Sequence, residues 1–128
     1  MAGTPLLVDT DILIDYLRGI RPARELIDSA RFEIYYSSWT RKELLTMPGL
    51  RSAQRSEIIK LLSGLRLVPV TDEIASVYWQ LLTKYSSNGL LQADAVIAAT
   101  AVALNAALIT RNKKHFRFIQ EIQLAPVY

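Results

Sequence analysis

"LLVDTDILIDYL", residues 6–17, sets two patterns end to end. Leu6, Leu7 and Val8 form a short apolar run of the kind a buried strand shows. Asp9, Thr10 and Asp11 follow at once, and the chain then reads as a helix from about Asp11 to Arg18, closed by Gly19. Asp11 and Asp15, four residues apart, share one face of that helix. Strand, acid-rich turn and helix in this order open an α/β fold. Carboxylates where a buried strand ends are costly unless something positive compensates them. No Lys or Arg precedes Arg18, so the compensating charge must come from elsewhere in the fold or from outside the chain.

The same alternation continues. Pro22 suits the first turn of a second helix, "PARELIDSA", and "EIYYSS" reads as a strand. "SWTRKELLTM" looks helical until Pro48 and Gly49 stop it, and "SAQRSEIIKLLSGL" is a further helix ending at Gly64. "LRLVPV" is a short strand, after which Thr71 caps "DEIASVYWQLLTKY" with Asp72 and Glu73 in the favourable first turn. Asn88-Gly89 marks a turn before "LLQADAVIAATAVALN", a helix apolar on nearly every side and therefore expected in the middle of the domain. "AALIT" is a strand, "NKKHF" a loop or single turn, and "IQLAPV" a last edge strand. Helices alternating with strands imply an α/β sandwich around a mainly parallel central sheet. The 128 residues suit a single domain, 1–128, without repeats or linkers.

Composition narrows the chemistry. With 51% hydrophobic and 21% charged residues the chain is that of a folded, soluble protein. It has no cysteine, which removes thiol nucleophiles, disulfides and thiolate metal sites and fits a reducing cytoplasm. No signal peptide or membrane span is expected. Net charge is +3 and the pI about 9.3. If Asp9, Asp11, Glu43 and Asp94 cluster, eight acids remain to face fifteen Lys and Arg, an acidic spot in a basic surface. That arrangement suits a polyanion, although an ordinary mildly basic surface has the same composition.

Individual acids read less uniformly. Asp9 follows an apolar strand, where ligands of open α/β sheets bind, but Asp9 or Thr10 could equally cap the next helix. Asp15 reads as a solvated residue or a partner of a ligand. Asp94 is the only charged residue between Lys84 and Arg111, and burial would raise its pKa unless a cation or donors hold it ionised. Glu43, beside Arg41 and Lys42, has the local signature of an exposed ion-pairing residue. His115 is the only histidine and cannot serve as both acid and base in metal-free phosphodiester cleavage. Neither a G-x-S-x-G elbow nor a Gly-rich phosphate loop is present. What survives is a carboxylate cage for a hard divalent cation, Mg²⁺ or Mn²⁺.

The order "LLVDTDILIDYL", "SSWTRKELL", "LLQADAVIAATAVALNAALITRNKKHF" resembles the PIN-domain nucleases, and within them the VapC toxins of toxin–antitoxin pairs. The resemblance implies a PIN-like three-layer sandwich and makes Asp9, Glu43 and Asp94 the catalytic, metal-binding acids. Thr10, Asp11 and Asn112 would support them. It further implies an Mg²⁺- or Mn²⁺-dependent endoribonuclease of the cytoplasm, leaving a 3′-hydroxyl and a 5′-phosphate. A VapB-like antitoxin would restrain it, and it would form a homodimer. Arg41, Lys42, Arg111, Lys113 and Lys114 flank the motif residues and are the candidate RNA contacts. The chain departs from the family pattern near "RNKKHF", where Asn112 and His115 stand in place of a frequent fourth acid.

Two rival readings use the same residues. One is a PIN-like domain that binds RNA or a partner through a weakened metal site. The other is a haloacid-dehalogenase-like phosphatase, whose opening D-x-D this chain shares. Against the latter, Leu13 stands where Thr or Val is usual, and no acidic pair follows Glu73.

Overall fold

The computed structural model describes residues 3–128. Its centre is a four-stranded sheet in the order β3-β2-β1-β4, formed by β1 (Thr4–Val8), β2 (Phe32–Ser37), β3 (Arg66–Val68) and β4 (Ala107–Ile109). Every pairing is parallel, with Leu6 beside Ile34 and Ala107, Val8 beside Ile109, and Tyr36 beside Leu67. Parallel neighbours need crossovers, and helices supply them. These are α1 (Thr10–Leu17), α2 (Arg21–Asp28), α3 (Ser38–Leu45), α4 (Ser52–Ser63), α5 (Asp72–Lys84) and α6 (Gln92–Leu104).

The helices cover both faces, which is why β1 is a continuous apolar run. Leu6, Leu7 and Val8 are all buried. Leu7 and Leu108 face a core with Ile74 and Leu81 of α5, Ile97, Ala98 and Ala101 of α6, and Phe116. Leu6, Val8 and Ile109 face the other core, with Ile12 and Leu13 of α1, Ile27 of α2, Leu44 of α3 and Ile58 and Leu62 of α4. Small residues let α6 lie close against its neighbours: Ala95, Ala98 and Ala99 have no exposed surface. The expected sandwich and the buried position of α6 are both present.

Helix ends follow local chemistry. Ser37 accepts the Trp39 N–H at 3.1 Å to cap α3, and Thr71 accepts the Ile74 N–H at 3.2 Å to cap α5. Gly19, with φ 78°, turns the chain out of α1.

One segment differs from expectation. "IQLAPV" is not a strand but a single parallel bridge between Leu124 and Leu108. Bonds from Leu108 N to Gln123 O (2.9 Å) and from Ala125 N to Leu108 O (2.8 Å) flank it. Pro126 has no N–H with which to continue the ladder. "NKKHF" is a 3₁₀ turn over Lys113–His115, and a similar turn covers Ser86–Asn88. Of the six large rings at 35, 36, 39, 78, 79 and 85, Tyr36 and Tyr85 are buried, Tyr35, Trp39 and Tyr78 half-buried, and only Trp79 is well exposed.

Candidate active site

The carboxyl end of β1 places Asp9 at the mouth of the sheet, between strands rather than at an edge. Its backbone N–H bonds Ile109 O at 3.0 Å, which ties the end of β1 to β4. The side chain caps α1 and also serves the site. Oδ1 accepts the Thr10 N–H at 2.8 Å, and Oδ2 accepts the Thr110 hydroxyl at 2.8 Å. The two roles left open for Asp9 are therefore compatible.

Thr10 reaches across to α3. Its hydroxyl donates to Glu43 Oε1 at 2.7 Å and lies 2.9 Å from the Thr40 hydroxyl. Since the Thr10 proton is engaged by Glu43, the shorter-range logic of a hydroxyl pair makes Thr40 the donor to Thr10. Thr40 and Glu43 are three apart on one face of α3, so both point at α1. Glu43 is half-buried and held by a neutral hydroxyl, not paired with Arg41 or Lys42 as its local sequence suggested. The Lys42 ammonium instead lies 5.3 Å from the centre of the Trp39 ring.

Asp11 sits in the first turn of α1 with Oδ2 accepting the Arg111 N–H at 2.9 Å. Its Oδ1 is buried and has no partner among the described residues. Asp15, one turn on, is only 5% exposed and takes two donors on Oδ2: Arg111 Nη1 at 2.8 Å and the Tyr128 hydroxyl at 2.7 Å. Asp15 is thus a buried partner and not a solvated residue. Arg111 is half-exposed, but its guanidinium is engaged by Asp15, a different use from the phosphate contact expected of it. Lys113 and Lys114 stand exposed in the following 3₁₀ turn, and Arg41 is half-buried. Asn112 is exposed, and its N–H bonds the Thr110 hydroxyl at 3.0 Å.

Asp94 lies in the first turn of α6, inside the helix and not at its cap. Its Oδ2 is 3.3 Å from His115 Nδ1. His115 therefore contacts one of the candidate acids.

The electrostatics show that these acids share one field. Burial, and then the charge of Asp11, push Asp9 up to about 6, with Asp94 adding to the rise. Burial also raises Asp11, against the pull of the Arg111 and Ile12 N–H groups and with the charge of Asp15 behind it. Asp94 is raised by burial, lowered by the neighbouring His115, and raised again by Glu43 and Asp11. A bound cation would relieve such desolvated, mutually repelling carboxylates. Among the described residues no three acidic or histidine side chains close into a ready-made cage. A site of the Mg²⁺ kind does not need one, because that ion keeps waters and substrate phosphate alongside one or two carboxylates.

Thr40, Thr110 and Tyr128 escaped the reading of the sequence. Thr40 carried a faint signal, its i, i+3 spacing to Glu43. Thr110 and Tyr128 carried none, because they meet Asp9 and Asp15 across 101 and 113 residues of chain.

Comparison with known proteins agrees with this fold. The family described as "PIN domain" matches residues 6–120. Ribonuclease VapC10 of Mycobacterium tuberculosis is 35% identical over 122 residues, covering 92% of this chain and 90% of its own. Ribonuclease VapC1 of Methanocaldococcus jannaschii is 31% identical, with 93% and 84% covered. Among solved structures, a toxin–antitoxin complex from Klebsiella pneumoniae has a chain with TM-score 0.78 and 30% identity, covering 91% of this chain and 94% of that one. VapBC2 from Rickettsia felis, solved bound to a DNA fragment from its promoter, matches in fold with TM-score 0.85 at 23% identity over 95% of this chain and 98% of that one. The chain belongs to the PIN-domain family and, within it, to the VapC ribonucleases.

Proposed function

We propose that the protein is a divalent-metal-dependent endoribonuclease, Mg²⁺ or Mn²⁺ serving, and the toxin of a type II toxin–antitoxin pair. The observation that carries this reading is the unpartnered, buried Asp11 Oδ1 within a group of carboxylates whose pKa values are raised by burial and by one another. Asp9, Glu43 and Asp94 would hold the ion, with Asp11 assisting. When bound, the ion supplies charge neutralisation and an activated water for in-line attack on phosphorus, with departure of the 3′ oxygen.

The chain's own residues prepare for this. Thr110 and the Thr10 N–H fix the Asp9 carboxylate, while the Thr10 hydroxyl fixes Glu43, so both acids are oriented before any ligand arrives. Lys113 and Lys114, exposed beside the motif residues, would contact backbone phosphates, as would Arg41 and Lys42, and such contacts position RNA without reading it. Asn112 has an exposed side chain beside Thr110, suited to orienting a water.

The deciding experiment incubates purified protein with total RNA, with and without Mn²⁺, and maps the cut ends. Metal-dependent internal cuts bearing 5′-phosphates are expected from the parent. Asp94→Asn should cut at least about a hundredfold more slowly, since it removes charge stabilisation from the transition state. Retained metal-dependent cutting by Asp94→Asn would overturn the assignment. The contact of His115 with Asp94 favours one second reading, an RNA- or partner-binding PIN domain with a weakened metal site. Absence of any Mn²⁺-dependent thermal stabilisation would select it.

The partners follow from the same reading. The relatives solved as toxin–antitoxin complexes support a small antitoxin, whose amphipathic tail would set an Arg or Lys against the acids. Exposed Leu67, Val70 and Trp79, at 47%, 51% and 64%, are apolar area for such contacts and for a homodimer. Among the described residues no helix is long and apolar enough to cross a membrane, and we place the protein with its RNA in the cytoplasm.

A further inference from the structure

Beside Asp94 the surface opens into a hollow of about 190 Å³, walled by Asn88, Gly89, Leu91, Lys114, His115 and Phe118. The fold does not account for several of these residues. Leu91 occupies the N-cap of α6, where Ser, Thr, Asp or Asn would bond a free N–H, yet it makes no cap bond and is 57% exposed. Neither capping nor burial explains it. The Asn88 N–H holds the turn by bonding Tyr85 O at 3.0 Å, a bond that makes no use of its side chain, and the residue is exposed. Gly89, at φ 74°, adopts the left-handed conformation that brings the chain from this turn to Leu91. Lys114 is exposed and pairs with no acid among the described residues. Phe118 is held in place against Tyr85, with ring centres 5.6 Å apart.

We propose that this hollow is a nucleotide subsite, which takes one base of single-stranded RNA next to the phosphate at Asp94 and sets the sequence preference of cleavage. The proposal rests on the nuclease reading and adds to it the element of specificity. The hollow is smaller than the roughly 300–1,000 Å³ of ordinary small-molecule pockets, a size for one planar ring. Leu91 and Phe118 give that ring apolar and aromatic contact, the way unpaired bases are gripped in RNA recognition. The Asn88 amide offers a donor and an acceptor side by side, the pair needed to distinguish base edges. Asp94 at the wall repels a bare anion but not a neutral base. The base therefore goes in, and its phosphate stays at the rim with Lys114.

The test separates this proposal from the nuclease reading. Binding is measured in an Asp9→Asn background without metal, so that nothing is cut. A short RNA pool randomised at every position is equilibrated with that protein and with versions also carrying Asn88→Ala, Leu91→Ala or Lys114→Ala, and bound RNA is sequenced. The same pool is then cut by the corresponding proteins with native Asp9 in Mn²⁺, and the ends are mapped. A base preference at one position is expected in both assays, and Asn88→Ala should flatten it by about tenfold, as loss of a base-edge contact does. Leu91→Ala should weaken binding of the preferred base more than the others. Lys114→Ala should weaken all sequences alike. An unchanged preference in Asn88→Ala and Leu91→Ala, with circular dichroism matching the parent, overturns the subsite, as does a parent without any preference. A Leu91→Ala effect confined to self-association in sedimentation also overturns it and makes the hollow a protein contact. Base-selective binding without cutting by the native protein supports the subsite and overturns the nuclease reading alone.

Discussion

Asp9 is both a helix cap and a charge held out of water, and the two roles have opposite consequences for stability. The cap needs only an oxygen, whereas the charge is disfavoured by burial and by Asp11. With a folded-state pKa of about 6 against an ordinary 3.8, native Asp9 binds its proton more tightly than the unfolded chain does. Stability from this group is therefore full below pH 3.8 and is lost as the pH rises through 6. Asp9→Asn keeps an oxygen for the Thr10 N–H, and the Thr110 hydroxyl can turn to accept from the new amide. Without metal at pH 7 the substitution should stabilise the fold by about 1–2 kcal/mol, less than the full linkage value of roughly 3 kcal/mol because contacts must rearrange. Calorimetry at pH 7 and pH 4 measures this: the gain should shrink at the lower pH, where native Asp9 is itself neutral. Divalent metal should also shrink it, by stabilising the native protein alone. A gain independent of pH would show that charge is not its source.

The segment after β4 is held by three contacts at the element scale. The Arg111 N–H orients Asp11, the Arg111 guanidinium grips Asp15, and Tyr128 closes on the same Asp15 oxygen. Removing the phenol by Tyr128→Phe leaves the ring and deletes one bond to a charged acceptor. The expected cost is about 1–2 kcal/mol. The Arg111 amide should then exchange hydrogen faster than in the parent, while amides within α5 and α6 are unaffected. Equal change throughout the chain would mean that Tyr128 stabilises the fold generally and does not act as a latch on this segment. The same segment shows what a sequence does and does not disclose. β1 was legible because a strand covered on both faces must be apolar at Leu6, Leu7 and Val8 alike. α6 was legible for the same reason. The strand expected at "IQLAPV" shrank to one bridge because Pro126 ends the ladder, a cue present in the chain but outweighed by its apolar residues. Asp9 and Asp94 stood out because an acid in an apolar setting is locally anomalous. The pairing of Asp15 with Arg111 and Tyr128 was hidden, since it spans 96 and 113 residues and no local pattern encodes it.

Across the whole molecule, the acidic mouth of the sheet opens between basic residues, some of which are already occupied. Lys113 and Lys114 are exposed and form no ion pair among the described residues, whereas Arg111 is engaged by Asp15. Lys113→Ala with Lys114→Ala should flatten the dependence of log RNA affinity on log salt by about 1.4, near 0.7 for each lost phosphate contact on a single strand. Arg111→Ala should instead lower the melting temperature with a smaller change in that slope. Filter binding over a salt series and thermal melts distinguish the two, and an unchanged slope in the lysine variant would move the RNA path elsewhere. The bonds from Asp9 to Ile109 and Thr110 bear on synthesis as well. They join the first strand to the fourth across 101 residues, so the acids take their places only after nearly the whole chain has been made and β4 has docked. A chain that stops before β4 has the first motif, α3 and even α6, but lacks the Ile109 carbonyl and the Thr110 hydroxyl that hold Asp9. Chains truncated before β4 should therefore show no Mn²⁺-dependent RNA cleavage when purified and assayed beside the full chain. A restraining partner supplied alongside needs to meet finished molecules, not nascent ones.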